Sequence, residues 1–386
     1  MDWDEALTDL PGVVEATAAY EAWLGEQVPL WQDDLFYKHE MMASAPFAFL
    51  RATFYRWCQR WPRLCPDEAA APRMLAVGDL HVENFGSWRD SEGRLVWGVN
   101  DFDEVAEMPY TIDLVRLATS ARLALKGGHL TTTTTEACAS ILSGYVESLE
   151  EGGHALVLAE NDKWLRRLAT GKLRDPVPFW AKMTALRPLD IPLRPGLRDS
   201  LLASLPAGMT EYNLRRRRAG LGSLGRERVM AEGTWKGAQL AREVKSSVRS
   251  AWSRGGEAGP ETADAEHLLL NAVRDPDPCY VPAPTHVVRR LAPDCSRIEL
   301  SDLPDGRDHE RLLRAMGYET ANLHLAHQDA AALILPDLHA RPDGWLEQAA
   351  RRMARATYRD WREWRTAWKK RAAKGAARPA APSQIS

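Results

Sequence analysis

Three features are missing from this 386-residue sequence, and each absence excludes one class of protein or site. No apolar run approaches the roughly 20 residues that a membrane helix requires, so no membrane span is expected. The first residues, MDWDEALTDLPG, are acidic and lack the basic and then apolar pattern of a signal peptide. The five cysteines are scattered without a CxxC pair, which argues against a disulfide framework and against a zinc site of the usual spacing. These absences predict a cytoplasmic protein with free thiols.

Charge of one sign is also lacking, since Lys and Arg total 50 and Asp and Glu total 53, for a formal net charge of −3. Such a balance gives no whole-chain attraction to nucleic acid or to a membrane surface, so neither is expected as a partner. Apolar residues make up 45% of the chain, which is enough for a sizeable core.

An acidic motif, GDLHVEN, begins at Gly78 directly after the apolar, strand-like residues 74–77. Its Asp79 stands five residues before Asn84, as in the D-x-x-x-x-N catalytic loop of kinases. We predict that Asp79 is the base that orients the nucleophile and that Asn84 offers its amide oxygen to Mg²⁺. His81 is a further catalytic candidate, because small-molecule kinases often carry a histidine at that place.

A second acidic motif, NDFDE, contains Asp101, which lies seventeen positions after Asn84. The turn DSEG and the apolar residues 94–99 predict a hairpin between the two motifs. Asp101 and the phenylalanine after it resemble the start of the metal-binding D-F-G motif of kinases. Because hard divalent cations favour carboxylate ligands, Asp101 and Asp103 are predicted metal ligands. An acidic turn of this kind often only caps a helix, but the two motifs at this spacing together favour a catalytic centre.

A third motif, PYTIDL, precedes the predicted helix of residues 112–126. It resembles the D-P-x-x-D-L of aminoglycoside and choline kinases, which implies that Asp113 braces the catalytic loop by accepting backbone hydrogen bonds. The chain departs from those kinases at Val77, where they carry the histidine of H-G-D. We expect this departure to weaken the bracing of the loop without changing the chemistry at Asp79.

A glycine loop, GLGSLG, occupies residues 220–225. A dinucleotide-binding loop should open directly into a helix. Here the loop is followed by a short strand-like run, a turn at Gly233 and a second strand-like run that ends at Lys245. This pattern favours a hairpin lid over phosphates, with Lys245 on the α- and β-phosphates. Glu266, on the predicted helix of residues 263–274, is expected to orient that lysine, with Glu243 as the weaker alternative. The predicted nucleotide-binding residues are Gly220, Gly222, Ser223, Gly225, Lys245 and Glu266.

The order of these motifs is the reverse of the kinase order, in which the glycine loop and lysine come first. The predicted helix of residues 312–327 looks like the one that normally precedes the catalytic loop. We therefore predict a circular permutation, which is physically tolerable because domain termini often lie close together. The arginines at residues 215–218 could lend positive charge to the site, but a solvated edge is the favoured interpretation. Residues 344–372 are interpreted as a helix with one buried, Trp-rich face, whose basic face is solvated or, as the less favoured alternative, binds an anionic ligand or a partner.

The chain resembles the uncharacterised bacterial family called domain of unknown function 2252 over most of its length, from about residue 30 to 370. The resemblance is carried by the segments GDLHVENFGSW, VNDFDE, PYTIDLVRLATS, GLGSLG and EVKSS. Asp79, Asn84, Asp101 and Asp113 more distantly resemble the aminoglycoside phosphotransferase and choline kinase branch. This resemblance implies an α+β, protein-kinase-like fold with two lobes. The expected segments are a helical N-terminal segment (1–72), catalytic-lobe elements (73–210), a nucleotide-binding lobe (211–305), helices that return to the catalytic lobe (306–372) and a disordered tail (373–386).

These motifs predict a phosphotransferase that uses ATP and Mg²⁺ and acts on an acceptor that the sequence does not name, with a small molecule favoured. One alternative is a pseudokinase or regulatory scaffold that binds ATP without transfer. Another is a nucleotidyl transferase that uses the same residues with the nucleotide reversed and delivers AMP.

Overall fold

The computed structural model describes residues 9–158, 160, 163–169, 175–255, 261–295 and 307–373. Helices and antiparallel strands both contribute, in agreement with the predicted α+β class. Among the described residues, no helix combines the length and the apolar composition that crossing a membrane requires. Residues 374–386, nearly all of the predicted disordered tail, lie outside the described residues.

The N-terminal segment is helical, as its sequence predicts. Its helices are α1 (Val13–Gly25), α2 (Gln32–Ser44), α3 (Pro46–Ala52), α4 (Phe54–Leu64) and α5 (Pro66–Ala69). Aromatic residues of α4, including Trp57 and Trp61, are buried in the largest apolar cluster of the molecule. The segment therefore forms part of the main core.

Two short antiparallel hairpin-like pairs follow and carry the acidic motifs at their ends. Strand β1 (Arg73–Ala76) pairs with β4 (Ala106–Pro109), and β2 (Phe85–Arg89) pairs with β3 (Leu95–Val99). Both acidic motifs lie in the connections between these strands, and the helices α6 (Thr111–Lys126) and α7 (Thr134–Glu151) follow. The first connection is hydrogen-bonded to α6.

The threonine run of residues 131–135 predicts the entry to a helix of residues 136–149, and helix α7 begins two residues earlier than predicted, at Thr134. The hydroxyl of Thr133 accepts the backbone N–H of Glu136, and the Glu136 carboxylate accepts the backbone N–H of Thr133. This reciprocal pair is a capping box, and it moves the start of the helix into the threonine run.

A five-stranded antiparallel sheet forms the later half of the molecule, in the spatial order β5-β6-β7-β9-β8. The helices α8 (Lys163–Ala169), α9 (Pro176–Thr184) and α10 (Pro195–Ala203) precede it. Its strands are β5 (Asn213–Arg216), β6 (Arg228–Trp235), β7 (Ala238–Ser246), β8 (Val281–Ala283) and β9 (His286–Leu291), with α11 (Glu261–Asn271) between β7 and β8 in the chain. Apolar side chains of α10 cover one face of the sheet.

The turn predicted at Gly233 is wrong. Strand β6 continues to Trp235, and the chain reverses at Lys236 and Gly237, whose φ angles are 48° and 83°. Two consecutive positive φ angles are typical of a type I′ hairpin turn, which matches the twist of the flanking strands.

The last described helices return to the first half of the molecule. They are α12 (Arg307–His324), α13 (Ala330–Ala340) and α14 (Trp345–Ala373). Helices α7 and α12 cross where Gly144 and Gly317 face each other's backbones, and a Cβ added at Gly317 would lie 2.0 Å from the carbonyl oxygen of Ile141. This close crossing holds α12 against the elements that carry the acidic motifs.

Candidate active site

Asp79 lies in the loop between β1 and β2 and is paired with a buried arginine. Its Oδ1 accepts a hydrogen bond from Arg116 Nε at 2.8 Å and a second one from Arg116 Nη2. The Arg116 side chain is fully buried against the rings of Phe54 and Trp57. Burial raises the pKa of Asp79 to about 6, although Arg116 opposes the shift. Asp79 is thus a carboxylate that changes its charge close to neutral pH, which suits a general base.

Asn84 lies next to the second acidic motif because of the hairpin register. Its Nδ2 donates to the backbone carbonyl of Asp79 at 2.7 Å, and its backbone carbonyl accepts the N–H of Asn100 at 3.0 Å. The first of these bonds leaves the amide oxygen of Asn84 as the atom that could coordinate a cation. Asp101 follows Asn100 directly, so the two predicted metal ligands are neighbours across the base of the hairpin.

Asp113 contacts the start of the catalytic loop from α6. It is buried, and its carboxylate accepts the backbone N–H groups of Val77 at 2.7 Å and Gly78 at 2.8 Å. His324 Nε2, from the end of α12, lies 3.1 Å from the same carboxylate, and the Tyr145 hydroxyl lies 2.7 Å from His324 Nδ1. His324 of α12 therefore supports the loop through Asp113, whereas Val77, which stands where the kinases carry a histidine, has no side-chain group that could form such a hydrogen bond.

We expect His324→Phe to lower the free energy of unfolding by about 1–3 kcal/mol. The phenyl ring fills the same space but leaves the buried Asp113 carboxylate and Tyr145 hydroxyl each without one partner. Urea unfolding measures the change. His339→Phe, at an exposed position on α13, is the matched control. Unchanged stability in His324→Phe would show that the buried chain of hydrogen bonds contributes nothing.

Lys245 joins the later sheet to the second acidic motif. Its Nζ lies 3.0 Å from Asp101 Oδ1 and 2.5 Å from Asp103 Oδ1, and Arg226 Nη2 lies 3.2 Å from Asp103 Oδ2. Burial by itself would raise the pKa of Asp103, but the cations of Lys245 and Arg226 outweigh it and hold that pKa well below its ordinary value. Two segments 144 residues apart thus form one charged centre.

The glycine loop lies directly against the catalytic loop. A Cβ added at Gly222 would lie 3.2 Å from the backbone carbonyl oxygen of Arg51 and 3.4 Å from Asp79 Oδ2, so the backbone of the glycine loop lies within van der Waals distance of the Asp79 carboxylate. Lys38 Nζ donates to the carbonyl of Gly222 at 2.9 Å, and the Trp31 N–H donates to the carbonyl of Gly225 at 2.7 Å. Ser223 forms part of a 3₁₀ turn, Leu221–Ser223. The loop is therefore held between α2 and Asp79.

Comparison with known families adds one result. Residues 31–175 match the family described as an uncharacterized protein conserved in bacteria (DUF2252). The match is shorter than the resemblance expected from the sequence and covers under half of the chain. It contains both acidic motifs and the PYTIDL motif, with Asp79, Asp101 and Asp113. No curated protein and no solved structure matched the chain.

Residues outside the DUF2252 match complete the site, but Glu266 is not among them. Its side chain is exposed on α11, and among the described residues Lys245 pairs with Asp101 and Asp103 instead. The predicted pairing of Glu266 with Lys245 is therefore wrong, because the carboxylates nearest the amine come from the NDFDE motif.

His81 lies inside the DUF2252 match and is buried. Its Nδ1 accepts the backbone N–H of Glu83 at 3.2 Å, and its ring meets that of Phe47 edge to face with centroids 6.2 Å apart. These contacts fix the shape of the catalytic loop.

Several residues of the site were missed by sequence reasoning. Arg116 stands three residues after Asp113 in a helix, a spacing that places both on one face, so it could have been found. Lys38 carries no motif, and burial lowers its pKa to about 8. The interpretation of residues 215–218 as a solvated edge is wrong, because Arg216 and Arg218 pair with Asp34 of α2 and the other two arginines pair with glutamates of the sheet.

A metal ion at this centre would have few protein ligands. Within the part of the chain that the structure describes, no group of three or more His, Cys, Asp or Glu side chains could hold a metal. Asn84 and Asp101 nevertheless fit Mg²⁺, which commonly takes one or two protein ligands and completes its shell with water and substrate phosphates. Asp103 fits less well, since Lys245 and Arg226 already balance its charge.

Proposed function

We propose that this protein is a Mg-ATP-dependent transferase of the protein-kinase type that acts on a hydroxyl or amine of an acceptor. The observation that carries the proposal is the contact between Lys245 Nζ and Asp101 Oδ1 at 3.0 Å. Lys245 belongs to the lobe that carries the glycine loop, and Asp101 belongs to the motif that follows the catalytic loop. The contact therefore joins the two halves that kinase chemistry requires.

The architecture of the later sheet supports this proposal. The glycine loop connects the first and second strands, Lys245 lies on the third strand, and a helix follows, which is the arrangement of the kinase glycine loop and β3 lysine. The catalytic motifs precede this lobe in the chain, and α12, which follows it, contacts β1 and β3. A circular permutation of a kinase-like fold accounts for both facts.

Each side chain has a chemical role in this proposal. Asp79 takes the proton of the attacking hydroxyl or amine, and Arg116 holds its carboxylate in place. Lys245 pairs with phosphate oxygens of ATP, under the backbone of the glycine loop. Asn84 and Asp101 would hold Mg²⁺, which would neutralise phosphate charge. Phosphoryl transfer results if the γ-phosphate lies at Asp101.

We expect Asp101→Asn to lower ATP turnover by roughly a hundredfold or more, because the amide cannot replace the charge that a cation requires. The measurement is ATP consumption by the purified protein with a panel of small hydroxyl and amine acceptors. Glu92→Gln, at the exposed tip of the same hairpin, is the matched control and should match the unaltered protein.

Three results would decide the proposal. Wild-type turnover in Asp101→Asn would overturn the assignment of the active site. Tight binding of Mg-ATP without turnover across the panel would favour the pseudokinase alternative. Failure of the folded protein to bind ATP with Mg²⁺ would reject both.

A further inference from the structure

One carboxylate in the sheet is surrounded by three arginines. Glu243 is fully buried, and its two oxygens accept hydrogen bonds from Arg217 at 2.5 Å, Arg289 at 2.8 Å and Arg228 at 3.2 Å. Burial alone would raise the pKa of Glu243, but the three guanidinium groups outweigh it and hold the pKa far below its ordinary range. The group therefore carries three positive charges against one negative charge.

The arginine group belongs to the same face of the sheet as the active centre. Glu243 stands two residues before Lys245 on β7, so both side chains point to one face, about 7 Å apart along the strand. Arg228 pairs with Lys245 in the β6–β7 register, and its Nη2 donates to Ser223 Oγ of the glycine loop at 2.7 Å. The arginines thus continue the row of cations that begins at Lys245.

This excess of positive charge calls for an anionic ligand. Arg228 is almost fully buried, and the side chains of Arg217 and Arg289 are only 19% and 22% exposed. Removing guanidinium groups from water is unfavourable unless anions compensate. Among the described residues, Glu243 pairs with all three arginines, and Asp101 stabilises the charges of Arg228 and Arg289 from a distance but is itself paired with Lys245. Arginine is also the residue best matched to phosphate, because its planar N–H donors can bind two oxygens together.

The position of these arginines bears on the direction of the nucleotide. Suppose that the γ-phosphate lay at Asp101, that Lys245 held the α- and β-phosphates, and that the nucleotide ran along this face of β7. The base would then lie on Glu243 and the arginines. A purine ring favours an apolar or aromatic slot, whereas a phosphate tail favours guanidinium groups. The charges therefore favour the opposite direction.

We propose that Arg217, Arg228 and Arg289 bind the β- and γ-phosphates of ATP, so that the α-phosphate lies at Asp101 and the protein transfers a nucleotidyl group. The inference rests on the proposed function. The acceptor oxygen or nitrogen attacks the α-phosphorus and forms a new bond to it, while its proton passes to Asp79. The bond from the α-phosphorus to the oxygen shared with the β-phosphorus breaks, and that electron pair leaves with pyrophosphate.

The first test compares ATP labelled at the α-phosphorus with ATP labelled at the γ-phosphorus, using the full chain, Mg²⁺ and the acceptor panel. We expect the α-label in the product, a mass gain equal to AMP, and release of pyrophosphate. Transfer of the γ-label would overturn the inference and leave the proposed function intact. Consumption of ATP to ADP and free phosphate alone would also overturn it. If neither label moves and ATP does not bind, the proposed function itself fails.

The second test removes one arginine and uses inorganic pyrophosphate as the probe. We expect Arg289→Gln to weaken pyrophosphate binding by roughly ten- to a hundredfold, as for the loss of a charged hydrogen bond, and to change AMP binding little. Arg215→Gln is the matched control, because Arg215 lies on the same sheet in a one-to-one pair with Glu232. Equal pyrophosphate affinity in Arg289→Gln and the unaltered protein, both folded by circular dichroism, would overturn the inference.

Discussion

Replacing Asp79 with asparagine is expected to lower turnover by about 10²- to 10⁴-fold, the usual contribution of a positioned general base. The amide retains an oxygen that Arg116 can contact, so the buried guanidinium keeps an acceptor and the fold should persist. The amide cannot take a proton from the acceptor group. The measurement is the initial rate of product formation at saturating Mg-ATP.

The pH dependence of the wild-type rate provides an independent check on Asp79. The base must be ionised to accept a proton, and burial places the pKa of Asp79 at about 6. We therefore expect the rate to fall as the pH drops through about 6 and to level off above it. The residual activity of Asp79→Asn should not show this fall in rate at acidic pH. Glu107→Gln, exposed on β4, should retain the wild-type profile, and full activity in Asp79→Asn would contradict the role of Asp79.

Replacing Lys245 with methionine is expected to abolish measurable ATP turnover and to lower the free energy of unfolding by about 3 kcal/mol. The lysine side chain is only 4% exposed, and its loss leaves Asp101 without its cation and Asp103 with Arg226 alone. The two halves of the molecule would also lose an ion pair that links them. The initial rate of ATP consumption and chemical denaturation measure the two effects, and isothermal titration with Mg-ATP measures the accompanying loss of ATP affinity.

A double-mutant cycle separates the structural part of the Lys245 effect from its part in binding. Asp103→Asn combined with Lys245→Met should destabilise the protein by less than the sum of the single changes, because the two side chains are in contact. Lys182→Met, exposed on α9, serves as the control. Normal ATP affinity in Lys245→Met would contradict the assignment of the phosphate-binding lysine.

Local features of the site could be predicted because neighbouring residues encode them. The hairpin between the acidic motifs follows from the DSEG turn and the apolar residues 94–99, and its register alone places Asn84 beside Asn100 and so close to Asp101. The helix that carries Asp113 follows from its apolar spacing, and the threonine run before α7 marks the start of a helix. The position of the β6–β7 turn does not follow from the sequence, since both Gly233 and Gly237 are turn-forming residues and only pairing across β6 and β7 selects the second.

The sequence by itself determined which residues carry the acidic chemistry, because each motif is contiguous and its geometry depends on one short stretch of chain. Only the tertiary structure decided which partners they take. Lys245 meets Asp101 and Asp103 rather than Glu266, Arg116 meets Asp79, and three arginines meet Glu243. Such pairs join residues far apart in the chain, and packing of helices against sheets sets their distances, which no local pattern of residues encodes.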